Sequence, residues 1–85
     1  MRIIKFYATW CEPCKALSKV FERNTDKIPF PVQEIDIDQD MESAKAMGVR
    51  GVPTTVIVDD DNKEIRRHVG MMNDMQLEHF LIGRG

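Results

Sequence analysis

No run of the sequence is apolar for long enough to cross a bilayer, and the opening stretch MRIIKFY is only one strand-length of apolar residues. It has neither the longer apolar segment nor the small-residue cleavage site of a secretory signal, so a cytoplasmic address is expected. Charge of one sign does not accumulate. The formal net charge of −2 at pH 7 gives no electrostatic case for nucleic acid or a membrane surface as partner. Internal repeats, low-complexity tracts and linker-like stretches are absent, so residues 1–85 are expected to form one domain around one core. Cysteine is scarce: the only two thiols lie within FYATWCEPCKAL, residues 6–17.

What is present is a globular balance, 42% hydrophobic and 31% charged, apolar enough for a core. RIIKFY (2–7) reads as a short buried strand that ends where Ala8-Thr9-Trp10 turns. From Cys11 the period becomes helical, with Cys14, Leu17, Val20 and Phe21 sharing a face, and Pro13 fits the first turn, where its missing N–H costs little. Residues 23–31 read as a loop and VQEIDI (32–37) as an alternating strand with Val32 as its first core residue. Asp38 or Asp40 can cap a short helix through MESAKAM, which Gly48 stops. TTVIVD is β-branched and reads as a strand, DDNK as a turn, and EIRRHV as the returning arm of a hairpin broken by Gly70. Asn73 or Asp74 caps a last helix, whose Met75, Leu77, Phe80 and Leu81 are expected to face the core.

The order β-α-β-α-β-β-α implies a parallel, right-handed crossover between the first two strands. The hairpin then adds antiparallel beside the first strand. The expected fold class is α/β: a four-stranded mixed sheet with three helices on its two faces.

A disulfide closing so short a loop hardly restricts the unfolded chain, and a reducing compartment disfavours structural disulfides, so a stapling role is excluded. A metal site would need further ligands, and His68 and His79 lack the paired spacing of a zinc site. Redox chemistry fits better. A thiol at a helix N-terminus lies near unpaired N–H groups and the positive end of the dipole, which favour the nucleophilic thiolate. Cys14, on the same helical side, can reach Cys11, and Pro13 stiffens the turn between them.

The stretch WCEPCK resembles the WCGPCK active-site motif of the thioredoxins, and DIDQDMESAKAMGVRGVPT (36–54) resembles that family's passage to its cis-proline. The resemblance spans essentially the whole chain, without the family's usual N-terminal strand and helix. It implies the thioredoxin fold and a dithiol oxidoreductase that reduces protein disulfides, with Cys11 attacking and Cys14 resolving. Pro53 matches the cis-proline facing the disulfide, so Val52–Pro53 is predicted cis. Trp10, Pro13, Val52, Pro53, Gly70 and Met71 match the family's flat apolar substrate face.

The resemblance implies no bound cofactor or metal and disulfide-containing protein clients, ribonucleotide reductase among them by family analogy. Electrons would come from NADPH through a thioredoxin reductase, and the chain is expected to act as a monomer. A glutaredoxin-like, glutathione-dependent reading is the alternative, carried by the short chain and by VGMMND, which resembles the glycine-then-aspartate segment holding glutathione in that family. A non-catalytic thioredoxin-fold adaptor is a third.

Some residues depart from the family pattern. A buried aspartate and its lysine partner are replaced by Lys5 and Glu34, exchanging the charges. Glu34 is expected to accept the proton of Cys14 with Lys5 holding its charge; the plainer reading is two solvated strand residues. Glu12 stands for the usual glycine and complements the helix dipole. Lys19 stands where many relatives have a helix-kinking proline. Asp36, Asp38 and Asp40 imitate the start of a calcium loop, but Met41 and Met47 occupy its glycine and glutamate positions, so strand end and helix cap explain them better. Met71 beside Gly70 is expected to be exposed.

Overall fold

Four consecutive buried residues, Ile3 to Phe6, all apolar but Lys5, leave the first strand covered on both of its faces, as an inner strand between packed layers is. The computed structural model, which describes residues 1–83, sets this strand inside the sheet. Its elements are β1 (Arg2–Tyr7), α1 (Glu12–Arg23), a 3-10 turn (Thr25–Lys27), β2 (Val32–Asp36), α2 (Met41–Ala46), β3 (Thr54–Val58), β4 (Glu64–Val69) and α3 (Asp74–Ile82). The sheet order is β2-β1-β3-β4, with β1 parallel to β2 and antiparallel to β3, and β3 antiparallel to β4. This is the thioredoxin fold expected from the sequence.

Alternation along the strands divides the core. Ile3 and Ile57 meet Leu17, Val20 and Phe21 of α1 and Leu77, Phe80 and Leu81 of α3. Ile4, Phe6, Val56 and Val58 point the other way, onto Ala44 and Met47 of the α2 segment. The helix ends are closed by side chains. Asp40 Oδ1 accepts from the Ser43 N–H at 3.1 Å, and Asn73 and Gln76 cap α3 reciprocally at 2.8 Å. Asn24, at the end of α1, donates from Nδ2 to Val20 O at 2.8 Å and to Asp74 Oδ1 at 2.7 Å. Hydrogen bonds from Asn24 and then Arg23 hold the Asp74 carboxyl below the usual aspartate range.

Several sequence expectations are corrected. Val32 is 40% exposed rather than a core residue, because β2 is an edge strand that α1 does not cover. Met75 is 65% exposed; the methionine that enters the core is Met72, just ahead of α3. Cys11 stands before the first helical residue as the N-cap, and the 23–31 segment holds the last residue of α1 and the 3-10 turn.

The Thr55 hydroxyl is fully buried in β3 and has no hydrogen-bond partner among the described residues. An unpaired buried hydroxyl costs about 1–3 kcal/mol. Thr55→Val keeps the shape and removes the orphan, so urea unfolding is expected to show a gain of about 1 kcal/mol. A loss of stability would mean that the hydroxyl finds a partner in solution.

Candidate active site

β1 delivers the chain to the redox pair. After Tyr7 the strand ends, Ala8 is buried, and the Cys11 N–H closes a turn onto Ala8 O at 3.2 Å. That turn leaves Cys11 extended at the N-cap of α1, where a side-chain acceptor is needed. Its sulfur fills that role: the Cys14 N–H donates to Cys11 Sγ at 3.1 Å. Glu12 and Pro13 form the first turn, and Cys14 is disulfide-bonded to Cys11 with the Cα atoms 5.2 Å apart. Both cysteines are 4% exposed and pack with Ala8 against Tyr7, Ile37 and Val52.

The segment that begins β3 comes up against them. Pro53 is buried, the Val52–Pro53 bond is cis as predicted, and Val52 is half-buried against the cysteines. The Gly70 N–H donates to Pro53 O at 2.8 Å, and Gly70 has a φ of +100°, where a side chain would be strained. Met71 follows it, 40% exposed. Trp10, 65% exposed, donates from Nε1 to Asp38 Oδ2 at 2.9 Å. Asp38 is a residue the sequence reading placed only as a possible helix cap. Its two neighbours are otherwise engaged: Asp40 caps α2, and Asp36 Oδ1 accepts the Asp38 N–H at 2.9 Å. Pro13 and Glu12 are exposed beside the disulfide, and Glu12 pairs with Lys15 at 3.2 Å.

Lys5 and Glu34 lie opposite each other on β1 and β2 and do form a pair, Nζ to Oε1 at 3.1 Å. It is lopsided. The Lys5 side chain is 6% exposed and that of Glu34 is 53% exposed. The ammonium also donates to Ser18 Oγ at 3.3 Å and lies 4.4 Å from the Phe21 ring centre. Ser18 was missed by the sequence reading, although its place four residues after Cys14 sets it on the same helix face. A cleft of about 530 Å³ is lined by Cys14, Ser18, Glu22 and Glu34 among others. His68 and His79 take no part: among the described residues no cluster of His, Cys, Asp and Glu could hold a metal, and His68 Nε2 faces Met71 O at 3.2 Å.

Residues 1–82 match the thioredoxin family model. The chain belongs to the thioredoxin family. It is 33% identical over 81 residues to the thioredoxin of Borreliella burgdorferi, which covers 93% of this chain and 68% of that protein. A prophage-derived thioredoxin-like protein of Bacillus subtilis, YosR, is 36% identical over 70 residues, covering 82% of each. Among solved structures, a mutant thioredoxin of Halobacterium salinarum superposes with a TM-score of 0.85 at 34% identity, over 96% of this chain and 72% of that one. Thioredoxin of Fasciola hepatica gives 0.83 at 30% identity, over 98% and 79%.

Membership together with the Cys11–Cys14 pair makes the chain a dithiol protein-disulfide oxidoreductase. Thioredoxins bind no cofactor themselves; they act on disulfide-containing substrates and are served by a reductase. Among the described residues no helix is long and apolar enough to cross a membrane.

Proposed function

We propose that Cys11 is the attacking thiolate, Cys14 the resolving thiol, and NADPH through a thioredoxin reductase the electron source. The observation that carries the assignment is the Cys14 N–H on Cys11 Sγ: a backbone donor at a helix N-terminus favours the thiolate of the sulfur it faces. The Cys11 thiolate attacks one sulfur of a client disulfide, releasing the other client sulfur as a thiolate. Cys14, deprotonated, then attacks Cys11 Sγ, expelling the second client thiolate and leaving the Cys11–Cys14 disulfide. The reductase returns two electrons and two protons. Clients are disulfide-bearing proteins, ribonucleotide reductase being one by family analogy, engaged by a cytoplasmic monomer. The exposed surfaces of Trp10, Pro13 and Met71, with Val52, Pro53 and Gly70 between them, form the face that receives the client.

Glu34 accepts the proton that Cys14 must lose. The cleft holding both side chains supports this role, and the ion pair with the buried Lys5 holds the carboxylate in place. Glu34→Gln is expected to slow the resolving step roughly tenfold or more near neutral pH, with recovery as the pH rises. An unchanged pH profile would remove Glu34 from the chemistry.

The glutathione-dependent alternative needs the Asp74 carboxylate near the thiols. It is instead bonded to Asn24 and Arg23 at the far end of α1, a helix of 12 residues. At 1.5 Å per residue that is ~18 Å from the cysteine end. The deciding experiment runs the purified chain on a protein disulfide with NADPH, coupled in parallel to thioredoxin reductase and to glutathione with its reductase. Turnover through the first alone is expected; turnover only through glutathione would overturn the electron source.

A further inference from the structure

We propose that the open edge of β2 receives an extended, basic segment of a partner protein as an added strand. β2 pairs with β1, and among the described residues no strand lies on its other side. Pro31 O accepts from the Ile3 N–H and the Ile37 N–H donates to Tyr7 O, each at 2.9 Å. Backbone groups alternate in direction along a strand, so those of the odd-numbered residues face β1 and the N–H and C=O of Val32 and Glu34 point outward. The register with β1 runs from Val32 to Asp36 without a shift, which leaves this edge regular. The opposite edge is different: β4 pairs across a register shift at Ile57/Val58, a device that discourages strand addition.

The side chains beside the β2 edge define what fits. Val32 and Glu34 point to the α1 face of the sheet, yet α1 leaves both exposed. Between them and the helix lies a cleft of about 480 Å³, with Phe21, Ile28, Phe30 and Val32 as apolar lining and Glu22 and Glu34 as its acids. The cleft's one cation, Lys5, is already paired with Glu34. Asp36 adds a third carboxylate along the strand. An incoming strand therefore places an apolar residue beside Val32, facing the cleft, and a lysine or arginine two positions on, beside Glu34.

A second copy of this chain does not meet that description. Antiparallel pairing of β2 with itself about Glu34 sets carboxylate against carboxylate, which opposes association. Strand addition here also has a consequence for the site, because Ser18, Glu22 and Glu34 line both this cleft and the one reaching Cys14. A partner on β2 lies against the three residues that this cleft shares with the one reaching Cys14.

The test uses the whole oxidised chain, isotope-labelled, with an end-blocked peptide repeating Val-Thr-Lys-Thr, which sets valine and lysine in turn on one strand face, and a matching peptide with glutamate in place of lysine. With the basic peptide, the Val32 and Glu34 amides are expected to shift and to exchange with solvent at least tenfold more slowly. The acidic peptide is expected to leave them unchanged. Glu22→Lys, on the exposed side of α1, is expected to weaken binding by at least tenfold, as is Glu34→Lys, with folding of each checked by its amide spectrum. The proposal is overturned if those amides do not respond at millimolar peptide or respond equally to both peptides. It is also overturned if the shifts fall on Trp10 and Val52, or if the edge is protected by self-association without peptide.

Discussion

Cys11→Ser is expected to lower protein-disulfide turnover by at least ~10³-fold, because a serine hydroxyl neither ionises near neutral pH nor forms the mixed disulfide. Cys14→Ser gives a different failure. Attack by Cys11 proceeds, and the client remains bound to it, visible as a covalent adduct on a non-reducing gel. The asymmetry does not come from exposure, since both thiols are 4% exposed. It comes from the Cys14 N–H, which faces the Cys11 sulfur. If Cys11→Ser instead accumulated the adduct, the two roles would be reversed. If both variants kept full activity in the cell, the adaptor reading would replace catalysis there.

Leu17→Ala carries the largest expected cost in stability. Leu17 is fully buried one turn after Cys14, among Ile3, Phe21, Ile57, Met72 and Leu77. Removing three buried carbons there and leaving a cavity costs about 2–5 kcal/mol. At roughly 0.05–0.15 kcal/mol per residue, a chain of 85 residues has about 4–13 kcal/mol in all. The substitution therefore takes a large share of the total, read as a fall in the urea midpoint with little change in slope. A loss under 1 kcal/mol would mean that the core closes over the gap. Single-turnover exchange measured well below the midpoint separates this effect from the chemistry, and it is expected to be nearly unchanged.

The sequence carried the sheet and the redox pair because both depend on local rules. β-branched and apolar runs marked Arg2–Tyr7 and Thr54–Val58, and the three-residue spacing put Cys14 within reach of Cys11 at the start of α1. Four features depended on what lies across the fold. Val32 fits a core pattern, but burial requires a helix above it, and at the edge of the sheet none arrives. Met72 and Met75 are the same residue type; Met72, just before the Asn73 cap, enters the core and Met75, on α3, is exposed, a choice set by how the helix docks. The partnership of Trp10 with Asp38 joins residues 28 apart, and no periodicity announces it. The charge exchange at Lys5 and Glu34 was visible as a pair, whereas the burial of only the lysine was not.

The earliest of these four strands along the chain is also an inner strand, bonded to β2 on one side and to β3 on the other. A chain growing from the ribosome therefore presents RIIKFY long before Thr54–Val58 exists to cover its second edge. Until β3 emerges, the nascent β-α-β half has an apolar strand with half of its hydrogen bonds unmade, a form open to capture by other chains. Closure of the sheet thus waits until Thr54–Val58 has left the ribosome. Any pause while Thr54–Val58 is still inside the ribosome would prolong the exposure of β1, and the sheet closes only once that segment is free to pair.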